Sequence, residues 1–195
     1  MVITTEQIKE LRDLTGVSVM QCKKALEEAE GDFEKAKIIL RKQSAKAADK
    51  KADRTLAAGV VASYIHSGGN VGAMVELMCE TDFVSKNDEF KALAYEIAMQ
   101  VAATSPEFVD ESQIDETVKA KAAEIFAGEA EGKPEEIKAK IVEGKLQAYF
   151  AEKTLMNQIY IKNGDQTVAG LIQEATQKFG EKIQVGRMSR FSVLG

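Results

Sequence analysis

Histidine, cysteine, proline and tryptophan are scarce in this sequence. The 195 residues include one histidine, two cysteines, two prolines and no tryptophan. With His66 as the only histidine, a zinc site or a Ser-His-Asp triad would need unusual partners, and neither is expected. Cys22 and Cys79 fit neither a CxxC redox motif nor a zinc site, so we expect two reduced thiols. The sequence thus predicts no metal and no cofactor.

Long apolar runs and an excess of positive charge are also missing. The longest apolar runs are far too short to span a bilayer, and Met1 to Lys9 lacks the basic start and apolar stretch of a signal peptide. We therefore expect no membrane association and a location in the cytoplasm or, as the alternative, in an organelle matrix. The net charge of −5 argues against nucleic acid as the main partner, so no direct nucleic-acid binding is expected.

The motifs of several enzyme classes are absent as well. A phosphate-binding Walker loop needs GxxxxGK followed by Ser or Thr, but the nearest stretch, GEAEGKP at Gly128 to Pro134, has the wrong glycine spacing and ends in proline. No GxGxxG follows a strand, and neither GxSxG nor HExxH occurs. Acid pairs such as Asp115 and Glu116 fall at helix starts, where carboxylates favour the positive end of the helix dipole. We therefore expect a binding protein and not an enzyme.

The residues that are abundant predict a folded, helix-rich protein. Hydrophobic residues make up 45% of the chain and charged residues 29%, with many Ala, Glu and Lys. Three short amphipathic helices are predicted first, separated by breaks at Thr15-Gly16 and Gly31-Asp32. Their inward residues are Ile8, Leu11 and Leu14, then Cys22, Ala25, Leu26 and Ala29, then Phe33, Ala36, Ile39 and Leu40. We predict a compact three-helix domain over residues 1–43.

A charged segment without an apolar stripe follows the third helix. It reads RKQSAKAADKKADR, from Arg41 to Arg54, and contains six basic residues. These residues could track phosphates, but a run of Lys and Ala is more often a solvated connector. We predict a charged linker over residues 44–55.

The rest of the chain alternates between strand and helix patterns. Residues 58–78 predict a β-hairpin around Gly68-Gly69, and Phe83 stands in the turn before a helix that ends at Ser105-Pro106. Two sparse helical patterns predict an antiparallel helical hairpin at about residues 113–153. Their apolar residues are Val118, Ala122, Ile125 and Phe126, then Ile137, Ile141, Leu146 and Phe150.

The C-terminal stretch completes the predicted fold. It indicates an extended segment, a turn at Asn163-Gly164, a helix capped by Thr167, and a final strand that joins the hairpin sheet. The expected class is therefore α+β. A three-helix domain precedes a core domain over residues 56–195, in which a small antiparallel sheet packs with helices and a helical hairpin protrudes.

Two stretches carry a family resemblance: LRDLTGVSVMQCKKALEEAEGDFEKA, Leu11 to Ala36, and ELMCETDFVSK, Glu76 to Lys86. Together they resemble the two signature regions of bacterial-type elongation factor Ts. The segments VAATSPEF, KPEEIKAKIVEGKL and TVAGLI extend the likeness over nearly the whole chain. The family usually has asparagine at the position of Met78 and aspartate at that of Gln21. The chain resembles the short form of the family, with one sheet-and-helix unit where longer members carry two.

The resemblance implies a guanine-nucleotide exchange factor for elongation factor Tu. In the family the N-terminal domain is similar to ubiquitin-associated domains and packs on the partner's GTPase domain. The TDF turn reaches toward the partner's magnesium and phosphate region. The resemblance therefore implies that Phe83 is a wedge and that Asp82 holds polar groups beside it. From the residues alone, the favoured interpretation of Phe83 is a core or staple residue that packs at the start of the next helix.

One wedge does not supply the whole effect, so further contacts are expected. The candidate partner-binding residues are Thr81, Asp82, Phe83 and Val84 in the turn, and Leu11, Arg12, Thr15, Gly16 and Val17 at the end of the first helix. The alternative reading is that Leu11 and Val17 belong to the core and that Gly16 is only a helix stop.

The resemblance also bears on assembly. Since this short form has one unit, two chains could rebuild a two-unit core, and we predict a symmetric homodimer through the core domain. Two rival functions stay open at this stage: an adaptor whose three-helix domain binds ubiquitin-like proteins or peptides, and a ribosome-associated nucleic-acid binder. The adaptor function leaves ETDFVSK unexplained. The nucleic-acid function is opposed by the absence of aromatic stacking residues near the basic run.

Overall fold

The computed structural model describes residues 3–132 and 134–193. Five residues lie outside this description. They are residues 1–2 and 194–195, at the outer ends of the two predicted domains, and Lys133, within the predicted helical hairpin. The chain comprises two compact units. Unit 1 comprises Met1–Val61, Glu76–Ala94 and Ala169–Val185, and unit 2 comprises Ala62–Val75, Tyr95–Val168 and Gly186–Gly195.

The described residues form eight α-helices and five strands, which confirms the predicted α+β class. The helices are α1 (Thr5–Thr15), α2 (Val19–Glu28), α3 (Phe33–Asp49), α4 (Asp82–Ser85), α5 (Asp88–Thr104), α6 (Glu116–Glu129), α7 (Glu135–Lys153) and α8 (Val168–Phe179). The strands are β1 (Ala58–Ile65), β2 (Val71–Cys79), β3 (Ile159–Tyr160), β4 (Asn163–Thr167) and β5 (Gln184–Ser192). None of the helices in these two ranges is long and apolar enough to cross a membrane.

Helices α1 to α3 begin at side-chain caps and share one apolar core. Thr4, Ser18 and Asp32 each accept a backbone N–H of the first turn that follows, which satisfies donors that a helix start otherwise leaves unpaired. The buried cluster consists of Leu11, Val17, Cys22, Ala25, Leu26, Ala29, Ala36 and Leu40. The predicted inward residues Ile8, Phe33 and Ile39 are partly buried and pack against this cluster. Leu14 was also predicted to face inward, but it is exposed, whereas Val17, just after Gly16, is buried.

Helix α3 continues through part of the segment predicted as a linker. It ends at Asp49, so residues 44–49 are helical. Ser44 is buried and donates to the Leu40 carbonyl at 3.0 Å, and the same hydroxyl contacts Gln177 of α8. Arg41 forms an ion pair with Glu174 of α8 at 3.6 Å. This part of the predicted charged linker is helical because Ala and Lys are strong helix formers and because α8 supplies partners that lie far away in sequence.

Strands β1, β2 and β5 form a three-stranded sheet in that order. The predicted hairpin and the predicted joining of the final strand are therefore confirmed. At the β1–β2 turn, the His66 amide donates to the Val71 carbonyl at 2.9 Å and the Gly69 amide to the His66 carbonyl at 2.7 Å. Gly69 has a φ of +69°, a conformation that glycine adopts without steric cost.

Helices α6 and α7 pack against each other in unit 2. The Phe126 and Tyr149 rings lie 5.6 Å apart, and Lys145 pairs with Glu129. These pairs run in opposite sequence directions, so the helices are antiparallel, as predicted. The core contains Ile114, Ala122 and Phe150, with Phe108, Phe126, Leu146 and Tyr149 packed against it. Val118, Ile125 and Ile137 were predicted in the seam, but they are exposed because the aromatic side chains fill this thin interface.

Strands β3 and β4 form a short hairpin whose turn was predicted two residues too late. Tyr160 pairs with Asn163 and Ile159 with Thr167, so Ile161 and Lys162 form the turn and Asn163-Gly164 starts β4. Tertiary contacts with α5 explain the shift. The Ile161 amide donates to Gln100 Oε1 at 2.9 Å, and the Lys162 ammonium donates to Glu96 at 2.9 Å.

Gln100 is the buried centre of a polar network in unit 2. It is fully buried. Its amide nitrogen donates to Gln158 Oε1 at 3.2 Å and to the Ile159 carbonyl at 3.1 Å, while its oxygen accepts from the Ile161 amide. Thr104 donates to the Gln158 oxygen at 2.6 Å. These hydrogen bonds hold the β3–β4 hairpin against α5.

Gln100→Ala is expected to destabilise the fold by about 2–4 kcal/mol, because it removes packed atoms and leaves buried backbone groups without partners. Urea unfolding followed by circular dichroism measures the change. Gln147→Ala, at an exposed position of α7, is the control, with a change of less than about 0.5 kcal/mol. Equal stabilities of the two variants would contradict a supporting role for the network.

Candidate functional site

The candidate site begins where β2 ends and the four-residue helix α4 starts. Thr81 is the N-cap of α4, and its hydroxyl oxygen accepts the Val84 amide at 3.5 Å. The Ser85 hydroxyl donates to the Asp82 carbonyl at 3.1 Å. Val84 and Ser85 are buried, so they anchor one side of α4. Asp82 and Phe83 remain on the exposed side.

Phe83 is 83% exposed, the most exposed large hydrophobic side chain of the described residues. The alternative that this ring packs in the core or on the start of the next helix is therefore wrong. That position is occupied by Phe90 of α5, which is fully buried and packs edge-to-face against Phe179 of α8 with ring centroids 5.9 Å apart. An exposed aromatic ring on an anchored turn is typical of a protein-binding surface.

Asp82 lies beside the ring as an ionised group. Its carboxylate pairs with the Lys86 ammonium one helical turn later, at 2.5 Å. This hydrogen bond and the positive charge of Lys86 hold the pKa of Asp82 below its ordinary value of 3.8. Both side chains are largely exposed, so a partner can compete for either one, and the pair itself adds little to stability.

Glu181 holds the start of the α4 turn from the other side. One carboxylate oxygen accepts the amides of Glu80 and Thr81, at 3.1 and 3.0 Å, and the other accepts the Thr81 hydroxyl at 2.6 Å. Sequence reasoning missed Glu181 because it lies about a hundred residues after the turn. No local pattern relates the two positions.

A second group of predicted residues surrounds the turn between α1 and α2. Gly16 has a φ of +67°, and its amide donates to the Arg12 carbonyl at 2.7 Å, which ends α1. The Thr15 hydroxyl donates to the Leu11 carbonyl at 2.7 Å. A Cβ at position 16 would lie 2.9 Å from Cδ of Lys178, so both the conformation and the space favour glycine there.

The predicted residues of this turn differ in exposure. Arg12 and Gly16 are exposed, and Thr15 is half-buried. Leu11 and Val17 are buried in the core of the N-terminal helices, so their side chains support the turn and do not reach its surface. The alternative interpretation of Leu11 and Val17 as core residues is the one that agrees with the structure.

Three exposed apolar side chains beside this turn were missed by sequence reasoning. Leu14, at 62% exposure, ends α1, and Val19 and Met20 begin α2. Met20 carried a usable signal, because it lies off the stripe of Cys22, Ala25 and Leu26 on a face otherwise occupied by Lys and Glu. Leu14 carried none, since its spacing from Leu11 fits a buried face.

Both groups of residues belong to unit 1, and α8 contacts both regions. The Lys178 side chain lies against Gly16, and its ammonium donates to Glu89 at the start of α5 at 2.9 Å. Glu181, two residues beyond α8, binds the α4 turn. The end of α8 therefore connects two signature regions that are about sixty residues apart in sequence.

Other chemically distinctive residues lie in ordinary structural settings. His66 pairs with the Tyr64 hydroxyl through Nδ1 at 3.1 Å. Cys22 and Cys79 are free and buried, and burial raises the pKa of both thiols. Within residues 3–132 and 134–193, no group of three His, Cys, Asp or Glu side chains could hold a metal ion.

Comparison with known proteins identifies the family. The family model described as Elongation factor TS matches residues 49–194. The chain is 49% identical over 193 residues to Elongation factor Ts of Carboxydothermus hydrogenoformans, which covers 98% of this chain and 89% of the relative. It is 46% identical over 193 residues to that of Thermotoga neapolitana, covering 99% of this chain and 98% of the relative. The chain belongs to the elongation factor Ts family.

Family membership confirms the resemblance found in the sequence. It implies a nucleotide exchange factor for elongation factor Tu in translation elongation, which is not a catalytic enzyme in the usual sense.

Proposed function

We propose that this protein releases GDP from elongation factor Tu by binding its GTPase domain and disturbing the magnesium and phosphate site. The observation that carries the proposal is the exposure of Phe83 on a turn fixed by Thr81, Val84 and Glu181. The ring inserts between side chains of the partner, and Asp82 binds polar groups beside it. Thr81 and Val84 hold the turn in place.

Exchange requires that the factor and the nucleotide oppose each other on the same partner. Coupling between two binding sites is reciprocal, so each ligand weakens the other. A thousandfold faster release needs a barrier lowered by about 4 kcal/mol, whereas burying one phenylalanine provides roughly 1.5–3 kcal/mol. Phe83 alone is therefore not sufficient.

The surface around Gly16 provides the further contacts. Leu14, Val19 and Met20 present exposed apolar side chains there, and Arg12 is exposed beside them. Burying these side chains against the GTPase domain contributes binding free energy. This free energy offsets the cost of inserting Phe83 into the partner. The shape of this turn depends on Leu11, Thr15, Gly16 and Val17. The predicted three-helix, ubiquitin-associated-like domain is therefore the second contact region.

A nucleotide-release assay tests the function directly. Purified elongation factor Tu is loaded with a fluorescent GDP and mixed with this protein and excess unlabelled nucleotide in a stopped-flow instrument. We expect release to accelerate with protein concentration and then to saturate. A release rate independent of the protein's concentration would overturn the proposal.

A translation factor acts where ribosomes are, so the proposed location is the cytoplasm or an organelle matrix.

We also propose that the protein forms a homodimer through the open face of its sheet. Four apolar side chains of unit 2 are exposed: Ile65 of β1, Met74 of β2, Phe191 of β5, and Val193 just after β5. Ile65 crosses Gly72, since a Cβ there would lie 2.5 Å from its Cδ1. Strand alternation therefore places Ile65 on the same face as Met74. An uncovered apolar sheet face of this kind favours association, and a second copy offers an identical surface.

Sedimentation equilibrium is expected to give twice the mass of one chain at micromolar concentration. Met74→Glu together with Phe191→Glu should reduce the mass to that of one chain, because two charges would be buried at the interface. Ile125→Glu, an equally drastic change at an exposed position of α6, should leave the dimer intact. A single-chain mass for the unmodified protein would rule out the dimer.

A further inference from the structure

Glu181 and the backbone around Thr81 form a clamp at the base of the Phe83 turn. Helix α8 ends at Phe179, and Gly180, with a φ of +73°, turns the chain so that Glu181 follows directly. The Glu181 carboxylate accepts three hydrogen bonds from residues 80 and 81, at 2.6 to 3.1 Å. Hydrogen bonds to a charged acceptor are about twice as strong as neutral ones.

The clamp is reciprocal, because Glu80 binds the segment that carries Glu181. The Lys182 amide donates to Glu80 Oε1 at 2.5 Å, and Arg54 donates to both Glu80 oxygens at 3.1 and 3.2 Å. Lys182 in turn donates through its ammonium to the carbonyls of Ala52 and Arg54. These hydrogen bonds join three segments of the chain, which are residues 52–54, 80–81 and 181–182.

The clamp acts on the part of the turn that determines where Phe83 points. Helix α4 has four residues, too few to be stable by its own hydrogen bonds. Its start is fixed at Thr81, the residue that Glu181 binds through both backbone and hydroxyl. Since a functional group must be held within about 0.5 Å of its productive position, loss of the clamp would leave the ring exposed but poorly directed.

We propose that Glu181 is a positioning residue for nucleotide exchange, which acts by orienting the turn that carries Phe83. The inference rests on the proposed role of Phe83. Glu181 itself need not contact the partner. Its contribution therefore lies in the maximal rate of nucleotide release and much less in the concentration of protein that gives half of that rate.

The test is a double-mutant cycle with the full-length protein in the stopped-flow GDP-release assay. Glu181→Ala should lower the maximal release rate about five- to tenfold and change the half-saturating concentration less than twofold. Glu181→Gln keeps one oxygen for the two amides and can donate to the Thr81 hydroxyl, so it should stay within twofold of the unmodified rate. In a Phe83→Ala background, Glu181→Ala should have no further effect beyond twofold.

Each result separates this inference from the proposed function. If Phe83→Ala lowers the maximal release rate but Glu181→Ala does not, the positioning role alone is overturned. It is also overturned if Glu181→Ala lowers the rate equally in the presence and in the absence of the Phe83 ring. A Phe83→Ala protein of unmodified speed overturns the wedge role of Phe83 and, with it, the positioning role of Glu181. Release that does not depend on the protein's concentration overturns the proposed function itself. Glu174→Gln, on α8 but paired with Arg41, is the control at unmodified speed. If Glu181→Ala does not fold by circular dichroism, Glu181→Asp keeps the charge but is one methylene too short for all three hydrogen bonds. It should slow release two- to threefold, and no slowing would overturn the role.

Discussion

Phe83→Ala is expected to slow the release of GDP from elongation factor Tu at least tenfold at saturating protein. The ring is almost fully exposed, so its removal creates no cavity in the protein's own core and should leave the unfolding midpoint unchanged. The expected loss corresponds to about 1.4 kcal/mol or more in the barrier. This lies within the free energy that burial of a phenylalanine provides. Much of the binding should remain, because the surface around Gly16 is intact.

Two further variants test the contribution of the ring, one at the same position and one as a control elsewhere in unit 1. Phe83→Leu keeps an apolar side chain of smaller size, and we expect it to retain part of the lost activity. Ile38→Ala removes an exposed apolar side chain of α3 in the same unit and should stay within twofold of the unmodified rate. If all three variants released GDP at the same speed as the unmodified protein, Phe83 would have no role as a wedge.

Leu11→Ala and Leu14→Ala are expected to fail in different ways, although the residues are one helical turn apart. Leu11 is fully buried in the small core of the N-terminal helices. Its truncation should destabilise the protein by about 2–5 kcal/mol, a large share of what so small a core supplies. Exchange activity would then be lost because the turn around Gly16 is no longer held in shape.

Leu14 is exposed at the same helix end. Its truncation should change the stability by less than about 0.5 kcal/mol. The concentration of protein that gives half-maximal GDP release should rise about fivefold, as expected for about 1 kcal/mol of lost apolar burial. Urea unfolding and titrated release rates, measured on both variants, distinguish the two effects. Equal loss of stability in both variants would contradict the assignment of Leu14 to a binding surface.

Much of the fold could be predicted because its signals are local. The breaks predicted at Thr15-Gly16 and Gly31-Asp32 lie between α1 and α2 and between α2 and α3. Gly68-Gly69 between β-branched runs was sufficient to place the β1–β2 hairpin. The errors occur where distant contacts outweigh local preference. Gln100 and Glu96 set the position of the β3–β4 turn, and α8 provides partners for the part of α3 that resembles a linker.

The candidate site was predicted in part. The signature regions identified the family and the residues of both turns, but apart from the position of Met20 they did not indicate which apolar side chains reach the surface. Leu11 and Val17 could not be separated from Leu14 by residue type, because all three are apolar. Exposure depends on what packs against each side chain, and that is a property of the folded chain.

The sequence by itself determined the α+β class, most helix and strand positions, and membership of the elongation factor Ts family. Caps, turns and apolar periodicity act between neighbouring residues, and a family signature is a string of residue types. Only the tertiary structure decided that Phe83 faces solvent, that Leu11 does not, and that Glu181 binds the start of the turn that carries Phe83. Burial and hydrogen bonding between residues a hundred positions apart arise when the chain folds, so no local pattern contains them.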